Sequence, residues 1–142
     1  MKQETAYKLL IISFAIVYIA FGVPKILGAT SVKDLMQAGY PFFNDAIIGF
    51  MGIVEIILGF CLIIKKTRSL VALGIILHLL GTLSTFVLNF NYFFNPQTIF
   101  TLEGEFVFKN IVFISLALYI LSKENTIKLP QFLNKTNGSN QN

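Results

Sequence analysis

Two ionisable side chains, Glu55 and His78, lie near the centres of long apolar runs. In the hydrocarbon core of a membrane, a charge costs several kcal/mol unless it has a partner, is neutralised by a proton or serves a function. A carboxylate and an imidazole at that depth can relay protons or hold the polar head of a small ligand. The interior of the apolar runs is therefore the place to look for chemistry.

Four apolar runs are long enough to cross a bilayer. A spanning helix needs about 20 apolar residues, because the hydrocarbon core is about 30 Å thick and a helix rises about 1.5 Å per residue. The runs cover residues 7–23, 46–64, 70–88 and 106–121. We predict an all-α integral membrane protein, with residues 1–122 forming a four-helix bundle and residues 123–142 a polar, disordered cytoplasmic tail. The first run is interpreted as a retained helix and not as a signal peptide, because no clear small-x-small cleavage site follows it.

The composition excludes several functional classes. Hydrophobic residues make up 55% of the 142-residue chain and charged residues 13%, and the mean hydropathy is +0.73. The net charge of +4 does not indicate a nucleic-acid partner, because the basic residues lie at the ends of the apolar runs. Cys61 and His78 are single residues of their type, which excludes an internal disulfide, a CxxC pair and a bis-histidine haem and leaves a metal site unsupported.

The distribution of Lys and Arg predicts the orientation. With a cytoplasmic N-terminus, eight basic residues fall on the cytoplasmic side and three on the other, and the Lys65–Arg68 turn is the strongest marker. Basic residues are enriched in cytoplasmic loops. We therefore expect a multi-pass protein of the cell membrane with both termini in the cytoplasm.

Small and polar residues recur at helical spacing within the runs, so that each helix presents one small-and-polar face to the others. The faces consist of Ala15, Tyr18, Gly22 and Lys25 in the first run, of Gly49, Gly52, Glu55 and Gly59 in the second, and of Gly74, His78, Gly81, Thr85 and Asn89 in the third. In the fourth run, Glu105 and Lys109 form an i,i+4 pair next to Asn110.

These faces predict a polar seam inside the bundle. Its candidate members are Lys25, Glu55, His78, Glu103, Glu105, Lys109 and Asn110. From depth alone, Glu55 is expected to pair with Lys109, with His78 as the alternative. Lys25 is expected to meet Glu103 or Glu105 at the outer mouth, or to reach the lipid headgroups.

Two loops face the outer side in this topology. Residues 31–38 form a short amphipathic stretch that is expected to lie in the membrane interface. The segment 90–105 is rich in aromatic residues, which are typical of an interfacial belt. The alternative is that this aromatic segment forms a lid over an outward-facing cavity.

Three segments resemble motifs of a known family. Phe21–Lys25 resembles an FGxxK signature, Gly52–Gly59 a GxxExxxG helix, and Leu102–Asn110 an EGEFVxKN segment at the start of a fourth helix. In this order they resemble the DoxX-like family of small bacterial four-helix membrane proteins, over about residues 5–122. The resemblance implies association with redox systems, since some relatives are subunits of a thiosulfate:quinone oxidoreductase. The lack of a CxxC pair counts against sulfur chemistry in this chain.

Two classes of function follow. In the first, the protein is a redox-associated membrane subunit whose seam binds a quinone or relays protons, together with another membrane or redox subunit. In the second, it is a non-catalytic scaffold, and its buried polar groups only satisfy one another. The sequence does not decide whether the protein is an enzyme, and it leaves the oligomeric state open, a homo-oligomer included.

Overall fold

The computed structural model describes residues 2–30, 33–97 and 99–124. The helices are α1 (Gln3–Ile26), α2 (Lys33–Gly39), α3 (Asp45–Ile63), α4 (Arg68–Leu88), α5 (Phe90–Phe93), α6 (Leu102–Phe108) and α7 (Asn110–Lys123). Two short strands, β1 (Phe94–Asn95) and β2 (Ile99–Phe100), pair in antiparallel fashion between α5 and α6. The described chain is mostly helical, as the sequence predicts.

Four helical segments are long and apolar enough to cross a membrane. They are α1, α3, α4 and the stretch Leu102–Lys123, which comprises α6 and α7. These segments confirm the four apolar runs, although the first, third and fourth begin a few residues earlier than predicted. Large apolar side chains such as Leu70 and Val87 are exposed on the outside, as a lipid-facing surface requires. Beyond Glu124, the predicted tail lies outside the described residues.

The helices pack in two closely associated pairs. The helix α1 lies along α3, and α4 lies along α7. One apolar core, which includes Phe14, Leu62 and Ile75, fills the space between these helices towards the Lys65–Arg68 turn. A second, smaller core of Leu35, Phe93 and Val107 lies at the opposite end, which we call the α2 end.

Local signals account for several helix ends. The helix α1 closes with a Schellman motif, in which the N–H groups of Gly28 and Ala29 donate to the carbonyls of Lys25 and Pro24. Gly28 has a φ of 66°, a left-handed conformation that glycine adopts without steric cost. At the start of α3, the Asn44 side chain accepts a hydrogen bond from the N–H of Ile47.

Both outer loops contribute to packing at the α2 end. The amphipathic stretch forms α2 from Lys33, while residues 31 and 32 lie outside the described residues. This helix buries Leu35 and packs Gly39 against Thr85 of α4. In the aromatic segment, Phe93 is fully buried and stacks on Phe86. The aromatic segment thus supplies core at the α2 end.

Candidate functional site

Glu55 is the centre of a buried cluster of three ionisable side chains. The Nζ atom of Lys25 lies 2.9 Å from Oε1 and 2.6 Å from Oε2 of Glu55, so that the ammonium group donates to both carboxylate oxygens. Nε2 of His78 lies 3.1 Å from Oε1 of Glu55. Because a carboxylate only accepts, Nε2 carries the proton of this hydrogen bond. The cluster joins α1, α3 and α4 at one level.

The cluster is largely shielded from its surroundings. The side chains of Lys25, Glu55 and His78 are 9%, 7% and 12% exposed, respectively. Lys25 also donates to the carbonyl of Phe21 at 3.2 Å. A buried ion pair is tolerated when further hydrogen bonds satisfy its members, and the contacts from His78 and to Phe21 meet that condition.

Glycines bring Lys25 and Glu55 together. A Cβ atom on Gly22 would lie 2.5 Å from the carbonyl oxygen of Gly52, and one on Gly52 would lie 2.6 Å from that of Gly22. The backbones of α1 and α3 therefore nearly touch. Lys25 and Glu55 each lie three residues after one of these glycines, and so they meet across the same contact.

Two predicted pairings are wrong. Lys25 binds Glu55, and not Glu103 or Glu105, while Glu55 binds Lys25 and not Lys109. The predicted alternative for Glu55, His78, is confirmed as a second partner.

The direction of the side chains explains the error. Helical side chains lean towards the N-terminus of their helix. Lys25 is near the C-terminal end of α1 and leans into the protein, whereas Lys109 precedes α7 and leans outward. Lys109 is exposed, and its Nζ atom lies 3.8 Å from the ring centre of Phe106. Of the fourth-run candidates, Glu105 is exposed and Glu103 half-buried, so that only Asn110 is buried with the cluster.

A cavity of about 300 Å³ lies next to the cluster. Lys25, Glu55, His78 and Asn110 contribute to its wall, and most of the remaining lining is apolar or aromatic. The apolar lining comes from both cores, for example from Leu79 and Leu35. The cavity thus combines an apolar interior with a few convergent polar groups, as ligand pockets do.

Tyr18 lines this cavity and carries an unsatisfied hydroxyl group. The residue is 4% exposed, and its ring packs edge-on against His78 with ring centres 6.0 Å apart. Within residues 2–30, 33–97 and 99–124, the Tyr18 hydroxyl is a buried side-chain polar group without a hydrogen-bond partner. Such groups are rare, because leaving one unpaired costs about 1–3 kcal/mol. The sequence placed Tyr18 on the inward face of the first run but gave it no role.

The α2 end of the cavity is covered by α2 and the residues that follow it. Leu35, Met36, Tyr40 and Phe43 line the cavity there. The hydroxyl groups of Tyr40 and Ser84 are hydrogen-bonded, which ties this cover to α4. Residues 90–100 of the aromatic segment, where described, contribute nothing to the lining, and Phe106, at the start of the fourth run, does contribute. The cavity lining therefore does not support the alternative interpretation of residues 90–105 as a lid.

A second polar cluster, at the end of the molecule opposite α2, was not predicted from the sequence. Arg68 Nη1 lies 2.6 Å from Oε1 of Glu124, and the Tyr7 hydroxyl donates to the same oxygen at 2.8 Å. Arg68 also donates to the carbonyls of Leu62 and Ile63. An arginine in the first turn of an apolar helix could have indicated such a cluster, because its five donors require acceptors.

Metal ligands are not grouped in the part of the chain that the structure describes. No set of three or more His, Cys, Asp or Glu side chains there could hold a metal ion.

Comparison with protein-family models, curated proteins and solved structures yields no match to this chain. The resemblance to the DoxX-like family therefore stays a prediction from the three motifs.

Proposed function

We propose that the protein is a DoxX-like subunit of a redox system in the cell membrane and that its cavity binds the head group of a quinone. The four apolar helices form an N-in/C-in bundle in this proposal, with α2 on the outer side. The observation that carries the proposal is the apolar cavity beside a buried Lys–Glu–His cluster, with Tyr18 and its unpaired hydroxyl group among the lining residues.

The chemistry of the cavity suits a quinone. A quinone head is a flat apolar ring with carbonyl oxygens that accept hydrogen bonds. The Tyr18 hydroxyl can donate to one carbonyl, and the Asn110 amide at the cavity wall can donate to another. The aromatic lining, which includes Phe21, Phe106 and Phe113, offers faces on which the ring can stack.

Reduction of a quinone to a quinol consumes two electrons and two protons. In this proposal the electrons come from a redox partner subunit. The His78–Glu55 hydrogen bond provides a route by which protons can reach the cavity wall, because an imidazole can accept a proton at one nitrogen and release one at the other. The positive charge of Lys25 balances the negative charge of the Glu55 carboxylate while a proton passes.

All three family-like motifs contribute residues to the same site. The FGxxK segment supplies Lys25 and the GxxExxxG segment supplies Glu55, and these residues form the ion pair. The EGEFVxKN segment supplies Asn110, which lines the cavity. The proposal explains why such motifs, which are distant in the sequence, carry charged and small residues in apolar helices.

The test is equilibrium binding of tritiated decylubiquinone to the purified protein in nanodiscs, with empty nanodiscs as the blank. We expect saturable binding that Tyr18→Phe weakens, because the substitution removes the free donor while keeping the ring. Tyr119→Phe is the matched control, since Tyr119 is 42% exposed on the outer surface. The absence of saturable binding to the unaltered protein would overturn the proposal.

A structural scaffold is the second candidate, and the direct contact between Lys25 and Glu55 favours it. Both carboxylate oxygens accept hydrogen bonds from protein groups. A protein that binds no quinone but loses its fold when this ion pair is broken would be such a scaffold.

A further inference from the structure

The helices α3 and α4 separate as they approach the α2 end. Gly74 and Gly81 are seven residues apart and therefore share one face of α4. A Cβ atom on Gly74 would lie 3.3 Å from Cδ2 of Leu58 in α3, so the helices are in contact there. At Gly81, two turns further on, a Cβ atom would meet no described atom within 4 Å beyond its own stretch of helix.

The gap at Gly81 lies at the cavity wall. Gly81, Leu77 and Met51 all line the cavity, and Met51 shares with Leu58 the face of α3 that is turned to α4. Gly81 is exposed, and Leu77 is 63% exposed. These residues therefore reach from the cavity to the outer surface of the protein.

The surface around the gap is apolar. Phe50 of α3 and Leu80 of α4 are 62% and 47% exposed, and both belong to helices that are long and apolar enough to span a membrane. The gap thus opens towards the lipid-facing side. Tyr40, which covers the α2 end of the cavity, lies at the edge of the gap, with its hydroxyl oxygen 3.5 Å from the carbonyl oxygen of Gly81.

We propose that the gap between α3 and α4 at Gly81 is a lateral portal through which the apolar tail of the bound quinone extends into the bilayer. This inference rests on the proposed function and specifies the substrate class as a quinone with an isoprenoid or alkyl tail. The cavity volume of about 300 Å³ is at the lower limit for ligand pockets, enough for a single-ring head group but not for a long chain. Met51, an unbranched side chain with three rotatable bonds, can adjust to a tail passing beside it.

The test is a substitution that fills the portal and leaves the Lys25–Glu55–His78 cluster unaltered. In Gly81→Phe, a bulky ring occupies the gap, and the open space around Gly81 allows the variant to fold. Leu80→Phe is the matched control, because it adds an aromatic ring to the adjacent lipid-facing position. Binding of tritiated decylubiquinone and of the tail-less dimethoxymethylbenzoquinone, also tritiated, is measured for each protein in nanodiscs.

Gly81→Phe is expected to weaken binding of the tailed quinone by about tenfold or more and to leave the tail-less quinone within about twofold. Leu80→Phe should bind both ligands as the unaltered protein does. Equal binding of the tailed quinone by Gly81→Phe and the unaltered protein would overturn the portal while the proposed function stands. Loss of both ligands in Gly81→Phe would place Gly81 at the head-group site and would also overturn the portal. An unaltered protein that binds neither quinone would refute the proposed function itself.

Discussion

At the scale of residues, the central feature is the choice of partner for Glu55. Lys25 and Lys109 both lie near the α2 end of apolar helices, yet only Lys25 reaches the carboxylate. The difference follows from chain direction, because a side chain near the end of a helix leans back along it and one at the start leans away. Lys109 instead lies over the Phe106 ring in a cation–π contact.

The Lys25–Glu55 pair gives a prediction about stability. Removing one member of a buried ion pair strands the other and typically costs about 3–5 kcal/mol, whereas removing both can be nearly neutral. Lys25→Met and Glu55→Gln should each lower the thermal stability strongly, and the double variant should recover much of the loss. Heating in detergent followed by size-exclusion chromatography measures the folded fraction. Lys109→Met is the matched control and should change stability little, and additive effects of the two substitutions would show that the pair does not interact.

At the scale of elements, glycines determine how closely α1 and α3 approach. Gly22 and Gly52 lie against each other's backbone, and a Cβ atom on Gly59 would lie 2.9 Å from the carbonyl oxygen of Ala15. Close packing of this kind is how membrane helices associate without a hydrophobic driving force. The contact also brings Lys25 next to Glu55. The packing of α1 on α3 and the Lys25–Glu55 ion pair therefore depend on the same glycines.

Two glycine substitutions in α3 should distinguish the effect of packing on stability from the effect of helix propensity. In Gly52→Ala, the added methyl group would lie 2.6 Å from the Gly22 carbonyl oxygen, and overpacking of this kind costs about 1–3 kcal/mol. In Gly49→Ala, the nearest atom would be 3.9 Å away, so the substitution should be neutral or stabilising by up to about 1 kcal/mol. Thermal stability in detergent distinguishes the two. Equal effects would contradict the tight contact between α1 and α3.

At the scale of the whole molecule, polar clusters connect the helices at two levels. The Lys25–Glu55–His78 cluster joins α1, α3 and α4, while Arg68, Tyr7 and Glu124 join the starts of α4 and α1 to the end of α7. An apolar core lies between these levels. The second cluster therefore holds the end of the molecule that is furthest from the cavity.

Glu124 makes the stability depend on pH. Burial by itself would raise the pKa of Glu124, but the hydrogen bonds from Arg68 and Tyr7 outweigh it and hold the pKa below its ordinary value of 4.5. A carboxylate with a lowered pKa stabilises the folded state above the pKa of the unfolded chain, and this contribution is lost as the pH falls through the lowered value. The unaltered protein should therefore lose thermal stability below about pH 4.5, which is the ordinary pKa of the carboxyl group.

Glu124→Gln should be less stable at neutral pH and should show a smaller change between neutral and acidic pH. The exposed Glu105→Gln variant is the control and should behave as the unaltered protein does. Identical pH profiles of Glu124→Gln and the unaltered protein would show that Glu124 does not provide this stabilisation.

The orientation of the whole molecule is testable by labelling single cysteines after Cys61 has been replaced. Positions Gln37 and Asn91 should react with an impermeant reagent added outside, because they lie in the loops that the basic residues assign to that side. Thr67 should react only after permeabilisation. The reverse pattern would overturn the N-in/C-in proposal and the outward position of α2.

The sequence by itself determined the four apolar helices and much of their inward faces. Hydropathy and helical periodicity are local properties, so Ala15, Tyr18, Gly22 and Lys25 could be assigned to one face, and all four are buried. The glycines of the second run were likewise identified as a packing face, and Gly52 and Gly59 are buried against α1. These features need no knowledge of where the other helices lie.

The tertiary structure decided what the inward faces do. Whether Glu55 meets Lys25 or Lys109 depends on the rotation and separation of helices whose contacts join distant parts of the chain, and depth alone does not specify either quantity. The same reason applies to the cavity, the unpaired hydroxyl of Tyr18 and the gap at Gly81. Gly81 was expected on the inward face of its helix, but the separation of α3 and α4 leaves it exposed, because α3 contacts α4 at Gly74 and not two turns later.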